Sequence, residues 1–166
     1  MNKFYKVSLE QYIKDSDPEL GDFPFEEEWN NIRIPKRATV RSAGYDFYAP
    51  FSFELNSGNT MTIPTGIKVE LDPDKVLLIA PRSSLGFKYR LQLDNTIGVI
   101  DSDYYNNNKN EGHIFIKVTN DSKLDKTLKI KKGDAFAQGM IFQYFLTDDD
   151  NTDSVREGGI GSTNGK

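Results

Sequence analysis

From Ile32 onward, apolar residues fall on every second position. Ile67, Val69 and Leu71 alternate with Lys68 and Glu70; Ile114, Ile116 and Val118 alternate with Phe115 and Lys117; Leu128 and Ile130 alternate with Lys129 and Lys131. A period of two gathers one set of side chains on one face of an extended chain, so each stretch predicts a strand with one face in a core. Val76 to Ala80 is instead a short unbroken apolar run, which predicts a strand covered on both faces. Asn56-Ser57-Gly58, Pro64-Thr65-Gly66, Asp72-Pro73-Asp74 and Lys132-Gly133-Asp134 supply turn chemistry between the strands. Many short strands punctuated this often predict an all-β barrel or sandwich.

The two ends and one internal segment depart from that pattern. Phe4 to Val7 alternate briefly, and Leu9, Tyr12 and Ile13 then follow at helical spacing. This predicts a helix of about two turns, capped by Ser8, with Gln11 closing a capping box. Asp15 to Asn31 is acidic and broken by Pro18, Gly21 and Pro24, yet carries Phe23, Phe25 and Trp29. It reads as a surface loop pinned by aromatics, with a partner-binding appendage as the alternative. Tyr104 to Gly112, YYNNNKNEG, is too long and polar for a tight hairpin and predicts a surface excursion. Beyond Thr147 only Val155 and Ile160 are large and apolar, so the tail is expected to be mobile on its own. The chain thus divides into an N-terminal extension (1–31), a β domain (32–146) and a flexible C-terminal arm (147–166).

Composition narrows the chemistry. A length of 166 residues suits one domain able to bury a core without staples. There are no cysteines, which excludes disulfides, thiolate metal sites and a cysteine nucleophile. No run approaches the ~18 apolar residues of a membrane span, and the N-terminus turns polar too soon for a signal peptide. A soluble, cytoplasmic protein is expected. The net charge is −4, but residues 1–31 hold three lysines against eight acids, and the remainder is close to balanced. No basic stripe exists for nucleic acid, so an anion would be held by a few placed groups.

Three polar constellations offer such groups. Arg156 followed by Gly158-Gly159-Ile160-Gly161-Ser162-Thr163 provides a guanidinium, hydroxyls and backbone N–H groups able to converge on phosphate; a plain glycine-rich terminus fits the same residues. Pro81-Arg82-Ser83-Ser84-Leu85-Gly86 follows the apolar run directly and would be held rigidly at its end, with a surface ion pair as the simpler role for Arg82. In Asn95-Thr96-Ile97-Gly98-Val99-Ile100-Asp101-Ser102-Asp103-Tyr104, Gly98 permits a bend or a close ligand approach. Asp101 follows two apolar residues, so it is either a partly desolvated base or a turn aspartate. The lone His113 has no second ligand nearby and is assigned no catalytic or metal role. Such a set, with no metal cage, suits a triphosphate that brings its own Mg²⁺.

Five separated motifs resemble, in order, those of the all-β trimeric dUTPase family of phage and bacterial type. They are Ala43 to Ala49 (AGYDFYA), Pro81 to Gly86, Asn95 to Tyr104, Gly133 to Gln138 (GDAFAQ), and Arg156 with Gly158 to Thr163. The resemblance implies a homotrimer of distorted jelly-roll subunits whose active sites are shared between chains. It also implies hydrolysis of dUTP to dUMP and pyrophosphate, which limits uracil in DNA and supplies dUMP for dTMP synthesis. On this resemblance Asp101 is the general base, Asn95 with the backbone around Gly98 and Ile100 reads uracil, and Tyr104 lies under the deoxyribose. Arg82, Ser83, Ser84 and Gln138 are similar to triphosphate contacts, and Asp46 to the acid that reaches Mg²⁺ through water. Arg156, Ile160, Gly161, Ser162 and Thr163 resemble the arm that closes over the nucleotide.

The chain departs from the family pattern in places. Ile160 stands where the arm usually has Phe, which predicts weaker cover of the base. One residue fewer separates Arg156 from Gly158-Gly159, Ala135 replaces a frequent Arg, and Ser84 a frequent Gly. Two other functions fit parts of the sequence. A dCTP deaminase of the same fold shares an Arg-Ser-Ser element, although Val99 to Tyr104 is closer to the dUTPase form. A trimeric platform for a regulatory protein partner would use Trp29, the acidic extension or the Asn-rich loop.

Overall fold

The computed structural model describes residues 1–16, 24–156 and 158. Twelve strands and three short helices follow one another among them. The strands are β1 (Lys3–Lys6), β2 (Lys36–Arg37), β3 (Tyr45–Tyr48), β4 (Phe53–Leu55), β5 (Thr60–Pro64), β6 (Ile67–Glu70), β7 (Lys75–Pro81), β8 (Leu91–Leu93), β9 (Gly98–Asp101), β10 (Phe115–Asn120), β11 (Leu128–Ile130) and β12 (Ala135–Gln143). The helices are α1 (Leu9–Asp15), α2 (Phe25–Asn31) and α3 (Ser83–Tyr89).

All the pairings are antiparallel, and few join neighbours in sequence. A five-stranded sheet has the order β2-β3-β12-β7-β9; β5-β10-β8 form a second sheet, and β1-β6 and β11-β4 form two ribbons. The alternating stretches behave as their period requires. Ile67 and Val69 point inward from β6, Ile116 and Val118 from β10, and Leu128 and Ile130 from β11, all into one cluster with Phe47, Leu77, Ile79 and Phe136. Burying side chains of this size contributes roughly 1.5–3 kcal/mol each. The fold is mostly β, as the punctuated alternation predicts.

β7 differs from its predicted two-faced burial. Leu77 and Ile79 are buried, whereas Val76, Leu78 and Ala80 are only half-buried, so one face of this central strand is incompletely covered within the chain. Its inner face and both ladders, to β12 and to β9, nevertheless fix it firmly.

The N-terminal residues are tied to the same core. β1 pairs with β6, and Phe4, Val7 and Tyr12 join the central cluster. α1 forms as predicted, with the Ser8 hydroxyl accepting from the Gln11 N–H at 3.1 Å. The capping box does not close, because the Gln11 side chain bonds Asp15 while the Ser8 N–H donates to Glu111. The predicted loop contains α2, whose Phe25, Glu28 and Trp29 sit at helical spacing behind a run of glutamates that conceals the pattern. Those acids occupy the first turn, where the helix dipole favours them. Glu28 is buried and accepts from the Tyr12 hydroxyl at 2.5 Å, and burial holds its carboxyl above the usual range. Trp29 is packed, its indole N–H donating to the Val7 carbonyl at 2.9 Å.

Candidate active site

The turn between β8 and β9, which pass into different sheets, carries Asn95 and Thr96. Thr96 has φ +66°, a conformation that a β-branched residue adopts only under constraint. Gly98 is extended at the start of β9 rather than bent. A Cβ there would lie 3.1 Å from Ile79 Cβ, so glycine lets β9 settle closely on β7. The register pairs Gly98 with Ile79 and Asp101 with Val76. The chain then enters a 3₁₀ turn, Ser102–Tyr104, that carries Tyr104 inward.

This path brings Asn95, Gly98, Ile100, Asp101 and Tyr104 to the wall of one cleft of about 530 Å³, with Arg156 at its edge. Tyr104 is buried at 6% exposure, and its ring is the cleft's rigid aromatic surface. Desolvation raises its phenol. The carboxylate of Asp101 is half-exposed within the chain. Arg156 donates from Nη2 to Asp101 Oδ2 at 2.6 Å and from Nε to Asp103 Oδ1 at 2.7 Å, bridging the two acids. Asp103 was not singled out from the sequence, although its spacing from Asp101 places two carboxylates beside each other at the strand end. Ile160, Gly161, Ser162 and Thr163 lie outside the described residues.

The second constellation forms elsewhere. Arg82 follows β7, and Ser83 and Ser84 open α3, exposed in its first turn. The helix was not predicted, because the polar motif carries no apolar period; α3 has no buried residue. Gln138 on β12 stands between Asp46 on β3 and Ala80 on β7 in the sheet register. Its Nε2 donates to the Pro81 carbonyl at 3.2 Å, and its Oε1 packs on Gly44, where a Cβ would intrude to 2.6 Å. Arg82 Nε lies 3.4 Å from Asp46 Oδ1. The first, second and fourth motifs are therefore brought together, and Arg82 is indeed ion-paired.

The two groups stand apart along one strand. Val76, beside Asp101, and Arg82 are separated by six residues of extended chain, about 20 Å. Gly98, in the same cleft, aligns with Ile79, only three residues or about 10 Å from Arg82, so it is Asp101 at the far end that stands apart from the Arg82 group. Among the described residues, no three His, Cys, Asp or Glu side chains converge as a metal cage. A single carboxylate such as Asp46, already beside a guanidinium, fits only an outer, water-mediated contact with a cation held mainly by phosphates.

His113, given no chemical role from the sequence, proves structural. It is fully buried, with Nδ1 2.7 Å from Asp15 Oδ2 and Nε2 accepting from the Gly66 N–H at 2.8 Å. Because Nε2 accepts, the ring is neutral and Nδ1–H donates. Burial lowers its pKa, against the opposing pull of Asp15.

An antiparallel β domain carrying a carboxylate-lined cleft and a separate Arg-Ser-Gln cluster has the make-up of a nucleotide-handling enzyme. The family profile of dUTPase matches residues 30–164, and the chain belongs to that family. It is 42% identical over 134 residues to the deoxyuridine 5'-triphosphate nucleotidohydrolase of Lactococcus lactis, covering 80% of this chain and 88% of that protein. The crystal structure of dUTPase from Streptococcus mutans superposes with a TM-score of 0.66 at 34% identity, covering 87% of this chain and 98% of that one. A dUTPase mutant from phage phi11 of S. aureus, described with a coordinated structural Mg(II) ion, superposes at 0.65. It covers 93% of this chain and 97% of the phage chain at 18% identity, a likeness of fold. Among the described residues no helix is long and apolar enough to cross a membrane.

Proposed function

We propose that this protein hydrolyses dUTP to dUMP and pyrophosphate at sites shared between the chains of a homotrimer. The observation that carries the proposal is the separation of the two half-sites. Asp101, at the far end of the cleft it shares with Asn95 and Tyr104, stands about 20 Å along β7 from Arg82, which gathers with Asp46 and Gln138. A triphosphate chain is too short for Asp101 to work at its α-phosphorus while Arg82 of the same chain holds its phosphates. Two chains that abut can supply one half-site each, and closed threefold symmetry repeats the arrangement.

In this reading uracil lies against Asn95 and the β9 backbone around Gly98 and Ile100, and the deoxyribose rests on Tyr104. Asp101 takes a proton from a water whose oxygen attacks the α-phosphorus. The bond from phosphorus to the bridging oxygen breaks, and its electron pair leaves with pyrophosphate. A general base of this kind contributes roughly 10²–10⁴-fold. Arg82, Ser83, Ser84 and Gln138 neutralise and orient the phosphates. Members of this family typically use Mg²⁺, and Asp46 would meet it through water; when bound, the ion offsets charge on the phosphate oxygens. Arg156 now pairs with Asp101 and Asp103, and transfer of its guanidinium to phosphate would free the base while the arm, with Ile160 and Gly161 to Thr163, excludes water. We place the reaction in the cytoplasm.

The test is Asp101→Asn in the full chain. Nucleotide binding is retained, and turnover falls by about 10² or more. Turnover near that of the wild type would show that the base is elsewhere.

A further inference from the structure

The Asn-rich loop after Tyr104 is the surface excursion its polarity predicts, but it is tied down by its own side chains. Asn107 donates from Nδ2 to the Tyr104 carbonyl and to Asn110 Oδ1, both at 2.8 Å. Its Oδ1 accepts from the N–H groups of Lys109 at 3.0 Å and Asn110 at 3.2 Å. Asn110 Oδ1 also accepts from the Gly112 N–H at 3.2 Å. Asn110 Nδ2 donates to the Tyr104 hydroxyl at 2.8 Å and reaches the His113 carbonyl at 3.4 Å. Both amides are fully used, and neither donor nor acceptor is left for another partner.

The orientation of the Asn110 amide follows from its neighbours. Gly112 offers only a donor and His113 only a carbonyl, so turning the amide over would oppose like with like. The Tyr104 hydroxyl therefore accepts from Asn110 while donating to the His113 carbonyl at 3.0 Å. His113 is itself buried and bonded at both ring nitrogens. The far end of the Tyr104 ring is thus clamped between an immobile backbone carbonyl and a locked amide. Gly158 of the arm lies against the stem of Lys109, so the same loop also borders the path of the arm.

We propose that Asn110 is a positioning residue that sets discrimination between deoxyribose and ribose nucleotides by holding the Tyr104 ring rigid. The inference rests on the reading of Tyr104 as the surface beneath the sugar. A wall rejects an added hydroxyl only as strongly as it resists displacement, and a ring pinned at one end alone can tilt to admit it. The residues that do the pinning lie in the loop that exceeds the common hairpin length, so selectivity here depends on a segment outside the five motifs.

The test measures kcat/KM for dUTP and for UTP in the full-length wild type, Asn110→Ala, Tyr104→Phe, the double variant and Tyr104→Ala. Asn110→Ala should lower the dUTP-to-UTP ratio about tenfold, chiefly by improving use of UTP. Tyr104→Phe, which removes the clamped hydroxyl, should do the same, and the double variant should be no less selective than either single one. A role confined to loop stability would depress both substrates equally and leave the ratio untouched. A ratio within about twofold of wild type in Asn110→Ala, or losses that multiply in the double variant, would overturn the proposal. Should Asn110→Ala fail to fold, an unchanged ratio in Tyr104→Phe would overturn it equally. Retained selectivity in Tyr104→Ala would instead refute the placement of the sugar on this ring.

Discussion

Mixing two impaired variants tests directly whether the site is shared between chains. Arg82→Ala removes a guanidinium from one half-site, and Asp101→Asn removes the base from the other; the two lie about 20 Å apart along β7. Losing a charged hydrogen-bonding partner costs about 1.5–3 kcal/mol, so pure Arg82→Ala retains roughly a hundredth to a tenth of wild-type activity. Pure Asp101→Asn retains about a hundredth or less. When the chains are co-expressed in equal amounts and assort at random, each site draws its Asp101 side from one chain and its Arg82 side from another. Each side is intact in half the cases, so about one quarter of the sites are wild type in both. Pyrophosphate release per chain at limiting dUTP should therefore recover to about a quarter of wild type, against an average of the two parents of about 5% or less. Recovery no greater than that average would show that a single chain completes the site, and the separation along β7 would lose its meaning.

Three further outcomes follow from the geometry. The lone His113 gives one imidazole signal, and its NMR titration in the folded protein should show a midpoint below the ordinary 6.5. Because the folded pKa is depressed, the unfolded chain binds the extra proton first, so stability to urea should fall as pH drops through 6.5 towards the lowered value. A midpoint at or above 6.5 would mean that the buried neutral ring is misassigned. Truncation after Asp153 removes Arg156 and, among the described residues, no member of the hydrophobic core, so the melting temperature should hold while turnover drops; undiminished turnover would make the arm dispensable. Gly44→Ala places a Cβ 2.6 Å from Gln138 Oε1, so KM for dUTP should rise about fivefold, or about 1 kcal/mol, with little loss of stability. An unchanged KM would remove Gln138 from the phosphate contacts.

The strands were legible because a period of two is a direct imprint of a half-buried sheet, as at Ile67 to Leu71 and Ile114 to Val118. α2 was hidden because Glu26, Glu27 and Glu28 mask the spacing of Phe25 and Trp29, and Glu28 is drawn into the interior by Tyr12 rather than by hydrophobicity. The residues of the candidate site were recognisable as motifs, but their partition was not. Nothing in local sequence says that Gln138 aligns with Asp46 while Asp101 aligns with Val76; that is set by the non-sequential order of β3, β12, β7 and β9. The role of His113 depends on Asp15 in the distant extension and that of Asn110 on partners within its own loop, and polar networks leave no periodic signal.

The most direct measurement of the central claim is product analysis with dUTP, UTP, dTTP and dCTP in the presence of Mg²⁺. dUTP should give dUMP and pyrophosphate, with much slower turnover of the other three and no ammonia from dCTP. Inert dUTP, comparable rates with UTP or dTTP, or ammonia released from dCTP would contradict it.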